Sequence, residues 1–255
     1  MGKDLASTLG LGRREHVALV GGGGKTSLMR SLAEELCQGG SRVVASTTTR
    51  VWSWQAGLFT QVIFSGSDSA WQEKLKKAIE RDRIAFVGHG LLESDKVEGL
   101  SISQAESIFK DPWVDYLILE ADGSAGRPLK APAAHEPVIP PSATLVVAMM
   151  GLESIGKRLD AEVVFRPDRY EKVTGHRQGA MLTLEAIAKI FRAGEGLFKG
   201  APISARRVAF LNKLDLLPDD RAARELATLL LQGQTSRVNK VVVGSITEKS
   251  YLTFD

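Results

Sequence analysis

His16-Val17-Ala18-Leu19-Val20-Gly21-Gly22-Gly23-Gly24-Lys25-Thr26-Ser27 decides the fold. Its first five residues read as a short buried strand, and Ser27 to Leu36 has the apolar spacing of an amphipathic helix. A flexible glycine linker would not be flanked so tightly by a strand and a helix, so the glycine run reads as a phosphate-binding loop. Glycines let a backbone approach an anion with its N–H groups turned inward, and the helix start adds partial positive charge. Gly21, Gly22, Gly23, Gly24, Lys25, Thr26 and Ser27 are therefore the expected nucleotide-binding residues. Lys25 would reach the outer phosphates, and the Thr26 hydroxyl would ligate Mg²⁺.

The loop departs from the common pattern G-x-x-x-x-G-K-[ST], which wants glycine where Leu19 stands. Val20-Gly21-Gly22-x-Gly24-Lys25-Thr26 is similar to the variant loop of nucleotide-driven metallochaperones, partitioning ATPases and cofactor-assembly GTPases. Members of that group with an extra signature lysine carry it where this chain has Val20, so lysine-mediated trans-activation is not expected.

Apolar runs recur between helix-like segments, which predicts an α/β fold of P-loop type: a mostly parallel twisted sheet flanked by helices. The runs are Arg42–Ser46, Gln61–Phe64, Ile84–Val87, Tyr116–Leu119, Thr144–Met149, Val208–Leu211 and Val241–Val243, with helices near Ser69–Arg81 and Ser103–Lys110. Residues 150–207 break the alternation. With helix-like segments at Pro167–Val173 and Leu182–Arg192, they read as a mostly helical insertion covering one edge of a single domain spanning 1–255.

The chain has 255 residues, 44% hydrophobic and 25% charged, as expected of a soluble globular protein. A net charge of +3, from basic residues scattered among nearly equal numbers of acids, carries little weight as a sign of nucleic acid binding, and no nucleic acid partner is expected. One cysteine, Cys37, and four dispersed histidines offer neither an internal disulfide nor a Cys/His metal cluster, which fits a reducing cytoplasm. The first residues lack an apolar signal core, and no apolar run approaches the ~20 residues of a membrane span, so no membrane association is expected.

Ligands in such sheets bind beyond the carboxyl ends of the strands, which selects four polar clusters. Asn212-Lys213-Leu214-Asp215 matches the N-K-x-D guanine motif, whose carboxylate accepts from the guanine N1–H and 2-amino group; adenine has no such donor pair. GTP is accordingly favoured over ATP, with Asn212, Lys213 and Asp215 on the base, against plain turn residues as the alternative. Glu120-Ala121-Asp122-Gly123 follows an apolar strand in the Walker B manner, so Glu120 or Asp122 would hold Mg²⁺ with Thr26, and Asp122 would orient water. Which acid does which job stays open. Thr47-Thr48-Thr49-Arg50 offers hydroxyls to Mg²⁺ and a guanidinium to phosphate, or is simply a tolerant strand end. The proline-rich segment Gly126–Pro141 is stiff and would display Arg127, Lys130, His135 and Glu136 beside the γ-phosphate, as a sensing loop or as plain cover.

Together, the Gly21–Ser27 loop, Thr47–Thr49, Glu120–Gly123, the Lys130…His135-Glu136-Pro137 segment and Asn212–Asp215 resemble the YqeC family of selenium-dependent molybdenum hydroxylase accessory proteins. In that family a histidine often closes the threonine run; Arg50 stands here, so no metal role is carried to that position. The resemblance implies a P-loop NTPase acting in cofactor maturation, with a client molybdenum hydroxylase or cofactor-assembly protein as partner and a homodimer by family analogy. Lys25, Asp122 and Glu120 are the expected catalytic residues of a slow GTPase-like enzyme. Alternatives are a small-molecule kinase and a nucleotide-sensing module without significant turnover.

Overall fold

The computed structural model describes residues 4–232 and 238–255. Its elements run α1 (Leu5–Leu9), β1 (Glu15–Gly21), α2 (Lys25–Gln38), β2 (Val43–Thr47), β3 (Val51–Trp52), α3 (Ser53–Ala56), β4 (Val62–Phe64), α4 (Trp71–Asp82), β5 (Ile84–Gly88), β6 (Gly90–Leu92), β7 (Lys96–Glu98), α5 (Ile102–Lys110) and β8 (Tyr116–Glu120). They continue through β9 (Leu129–Lys130), β10 (Leu145–Gly151), β11 (Val164–Phe165), α6 (Pro167–Thr174), α7 (Leu184–Arg192), β12 (Arg206–Asn212), α8 (Arg221–Leu231), β13 (Lys240–Ser245) and β14 (Ser250–Phe254).

The central sheet has nine strands in the order β14-β13-β12-β10-β1-β8-β2-β5-β4. Every neighbouring pair is parallel except β13 and β14. β1, β2, β8 and β10 are buried along their whole length, which is why they read as continuous apolar runs rather than alternating ones. Their side chains nevertheless sort by period two. Val17 and Leu19 face one side with α1 and α2, together with Leu145, Val147 and Met149 of β10. Ala18 and Val20 face the other side, where α7 and α8 pack over β10, β12 and β13. On that same side, α4 and α5 cover Val44, Leu117 and Leu119.

One expectation changes here, and the structure adds elements that the sequence did not announce. The segment between β10 and β12 lies on the face of the sheet rather than over its edge: Tyr170, Ile187 and Phe191 belong to the same core as Ala18 and Val146. The chain also builds a three-stranded sheet, β3-β7-β6, and pairs β9 with β11 in parallel. Strands of two or three residues are too short to show a periodicity, so they leave no sequence signature.

The order of the sheet places the site. From β1 the chain first builds β2, β4, β5 and β8 on one side, then β10, β12 and β13 on the other. Side and direction reverse at the β1/β10 junction, and the carboxyl ends of β1, β8, β2, β12 and β13 converge beside it. Among the described residues, no helix is long and apolar enough to cross a membrane.

His16 is fully buried in β1, its Nδ1 3.0 Å from Ser142 Oγ and its ring 5.1 Å from that of Phe109. Burial pushes its pKa down to about 3, so the folded protein holds it neutral where the unfolded chain would take up a proton below 6.5. Its stabilising contribution is whole above pH 6.5 and falls as pH drops toward about 3. In His16→Gln, urea titrations between about pH 6 and pH 4 should show an unfolding free energy that is less steep in pH by ~1.4 kcal/mol per unit. Parallel slopes for the variant and the parent would contradict this.

Candidate functional site: the glycine loop and its buried ion network

The loop between β1 and α2 requires glycine for two different reasons. Gly21, Gly23 and Gly24 adopt φ values of 93°, 73° and 120°, which L side chains rarely take. Gly22 has no such φ but lies under the proline-rich segment, where a Cβ would come within 2.5 Å of Arg127 O. A Cβ on Gly23 would lie 2.1 Å from Gly151 N, so β10 crosses directly against the loop.

The amides do not all face inward. Gly21 N donates to both Asp122 oxygens at 3.1 and 3.0 Å, Gly22 N to Met149 O at 2.9 Å and Gly23 N to Arg127 O at 3.1 Å. The first part of the loop is therefore tied into the protein. The anion-facing donors are those at the start of α2, Lys25 to Ser27, which as first-turn amides have no intrahelical acceptor. Gly24, the N-cap, supplies no side-chain hydrogen bond to them.

Asp122 is the centre of a chain of ion pairs. Lys25 Nζ lies 3.3 Å from Asp122 Oδ1 and donates to Gly21 O at 2.6 Å and to Ser124 Oγ at 3.3 Å. Lys130 Nζ lies 3.1 Å from Asp122 Oδ2 and 2.9 Å from Glu136 Oε2, and Glu136 also pairs with Arg166 at 2.5 Å. Lys25, Asp122, Lys130, Glu136 and Arg166 thus alternate in sign through ground that is mostly buried. Burial pushes Glu136 up, but the hydrogen bond from Arg166 and the charge and hydrogen bond of Lys130 outweigh it and hold the carboxyl at about 2. Lys130 is not displayed as the sequence suggested: it is fully buried, and Glu136 nearly so. His135 is exposed on the cleft wall, and Arg127 bonds Ala161 O at 2.7 Å.

Glu120 has different surroundings. It accepts from the Thr26 hydroxyl at 2.6 Å, and burial pushes its pKa up. Gln55 of α3, which carried no sequence signal, donates to the same Thr26 oxygen at 2.5 Å. The threonine run holds the loops in place: Thr47 Oγ1 donates to Glu120 O at 3.0 Å, and Thr48 Oγ1 to Val138 O at 2.7 Å. Thr48, Thr49 and Arg50 line the cleft.

At the end of β12, the buried Asn212 bridges two loops. Its Nδ2 donates to Gly23 O at 2.8 Å, and its Oδ1 accepts from Ile246 N at 3.2 Å. Lys213 lines the cleft and pairs with Glu153. Asp215 stays exposed on the 3-10 turn Leu214–Leu216 and is not part of the cleft lining. The cleft itself has a volume of about 1060 Å³ and runs from Lys213 over the loop to Trp52, Trp54 and Arg166.

A strand, a glycine loop with Lys25 and Thr26, and a helix beginning at the switch point of a mostly parallel sheet define a P-loop nucleotide-binding protein. The profile of the YqeC protein family matches residues 17–168. A relative from Escherichia coli K12, described as uncharacterized protein YqeC, is 34% identical over 246 residues, covering 96% of this chain and 93% of its own. The chain belongs to the YqeC family. Among solved structures, FtsY from Mycoplasma mycoides aligns over all of this chain at 13% identity and a TM-score of 0.41. Chloroplast FtsY from Physcomitrella patens aligns over 97% at 15% identity and a TM-score of 0.40. The chain spans 65% and 64% of those two proteins.

Two substitutions test this geometry. Gly23→Ala should abolish nucleotide binding or folding, whereas Gly40→Ala, at φ 86° with no atom within 4 Å of its Cβ, should cost only about 1–2 kcal/mol. Calorimetric melting and nucleotide titration of the pair check this; equal behaviour would refute it. Lys130→Met leaves Asp122 and Glu136 buried without their shared cation, so urea unfolding should show a loss of ~3–5 kcal/mol. A loss below about 1 kcal/mol would mean that the network does not hold these strand ends together.

Proposed function

We propose that the protein binds a nucleoside triphosphate with Mg²⁺, GTP in preference to ATP, and hydrolyses it slowly as an accessory factor in maturing a selenium-dependent molybdenum hydroxylase. The observation that carries the nucleotide part is the Thr26 hydroxyl 2.6 Å from Glu120 at the start of α2, beside Lys25. The residues fit Mg²⁺. Thr26 and Glu120 offer hard oxygens side by side, and among the described residues no cluster of three or more acidic, histidine or cysteine ligands exists. That suits a cation that takes most of its ligands from phosphate and water. Both Asp122 oxygens are engaged by Gly21 N and the two lysines, so Glu120 is the acid we assign to the metal and Asp122 the one that positions Lys25. Bound Mg²⁺ would neutralise charge on the β- and γ-phosphates.

The chain's own residues do the rest. The amides of Lys25 to Ser27 receive phosphate oxygens, and Lys25 exchanges Gly21 O for the outer phosphates. Arg50 lines the cleft and is the arginine available to the γ-phosphate in cis, since Arg166, although it also lines the cleft, is paired with Glu136. The guanine preference rests on the N-K-x-D residues at the end of β12, with Asn212 bracing the loop and Asp215 accepting from the base. The client, the selenium chemistry, a homodimer and a cytoplasmic location rest on family likeness and composition. The second reading is phosphoryl transfer to a small acceptor, for which the cleft continues from the glycine loop past Trp52 and Arg166.

Purified protein should bind GTP more tightly than ATP and release free phosphate without an added acceptor, and Thr26→Ala should remove the Mg²⁺ dependence of binding. Asp215→Ala should erase the GTP preference. If ATP binds as well as GTP and Asp215→Ala alters neither, the guanine assignment fails. Strict dependence on an acceptor would select the transferase.

A further inference from the structure

Beside the main cleft lies a smaller cavity of about 310 Å³, lined in part by Arg30, Leu58, Ile246 and Thr247. The two share Thr26, Ser27 and Trp54. Ser27 is exposed in the first turn of α2, so a chain of phosphates lying on the Lys25–Ser27 amides has two directions in which to continue. Toward Asp122 and Arg166 the wall is carboxylates and cations. Past Ser27 it combines Trp54, Leu58 and Ile246 with the Arg30–Glu34 ion pair on the exposed face of α2. The Asn212 bridge from Gly23 O to Ile246 N fixes the turn after β13 against the loop, so this second direction lies on the side of the N-K-x-D strand.

Trp54 is 60% exposed although the residues around it are anchored. Ser53 Oγ donates to Asp95 Oδ1 at 2.6 Å, Gln55 bonds Thr26, and Ala56 and Phe59 are buried. The neighbouring Trp52 ring is covered by Lys96 at 4.7 Å, but among the described residues no ring or cation stacks on Trp54. An uncovered indole beside the first turn of the phosphate-binding helix is an aromatic face on which a flat ring can stack.

We infer that Trp54 is the stacking platform for the nucleobase and that base and ribose occupy the 310 Å³ cavity between α2, α3 and the turn after β13. The inference rests on the reading of the protein as a nucleotide binder and adds to it the residue that holds the base. Stacking accepts either purine, since both present a π-face. Trp54 therefore supplies affinity for the base in general rather than discrimination between purines.

The test separates the base from the phosphates. Isothermal titrations with GTP, ATP and inorganic tripolyphosphate, each with Mg²⁺, are run on wild type, Trp54→Ala and Trp54→Phe, with melting curves to confirm folding. Trp54→Ala should weaken GTP and ATP by a similar factor of about ten or more while leaving tripolyphosphate within about twofold, and Trp54→Phe should restore most of the loss. Wild-type tryptophan fluorescence should be quenched by GTP, and that quenching should disappear in Trp54→Phe. Unchanged GTP affinity in Trp54→Ala overturns the inference and leaves the nucleotide reading standing. Equal weakening of GTP and tripolyphosphate overturns it too, by placing Trp54 at the phosphates. If wild type binds tripolyphosphate but neither nucleotide, both readings fall.

Discussion

A buried carboxylate facing two buried lysines is the constraint on which the rest of this site depends. Asp122 sits in the loop just after β8 with almost no solvent exposure, and an isolated charge there would be prohibitively expensive. It is tolerated because Gly21 N, Lys25 and Lys130 surround it. Each partner belongs to a different segment: the glycine loop, the start of α2 and the proline-rich segment. Satisfying one charge therefore fixes the mutual position of three loops that the sheet alone would leave free.

The shape of the glycine loop is a consequence of that pairing. Drawing Gly21 onto Asp122 turns the next two amides toward Met149 O and Arg127 O, and it brings the backbone so close to β10 that only glycine fits. What is left facing the cleft is a short row of helix-start amides with Lys25 beside them. Opposite lies Glu120, two residues before Asp122 but with none of its ion pairs, and it meets the Thr26 hydroxyl instead. Two carboxylates separated by a single residue thus have distinct environments, because the chain leaves the sheet between them: Glu120 is the last residue of β8, and Asp122 already belongs to the loop beyond it.

How much of this was legible in the sequence varies by element. The long buried strands announced themselves through their Val, Ile and Leu runs, and the loop through its glycines, because parallel strands are covered on both faces and so carry continuous apolar signals. Glu120, Asp122 and Asn212 were legible because each ends such a strand or directly succeeds it. Lys130 was not: it reads as an exposed base on a stiff loop, and only the arrival of Asp122 and Glu136 from either side makes its burial tolerable. Gln55, Trp54 and the β3-β7-β6 sheet were silent as well, since elements of two to four residues have no period to read.

By itself, the sequence determined that the chain is a parallel α/β protein with a glycine loop at the first strand–helix junction, because propensity, periodicity and the φ demands of glycine act locally. Only the tertiary structure decided which acid meets Thr26 and which holds the lysines, that Asn212 braces the loop against Ile246, and that residues 150–207 cover a face of the sheet. Those choices depend on which charges and apolar faces are brought together from distant positions. Contacts of that kind are set by packing and by the need to pair every buried charge, and no local pattern records them.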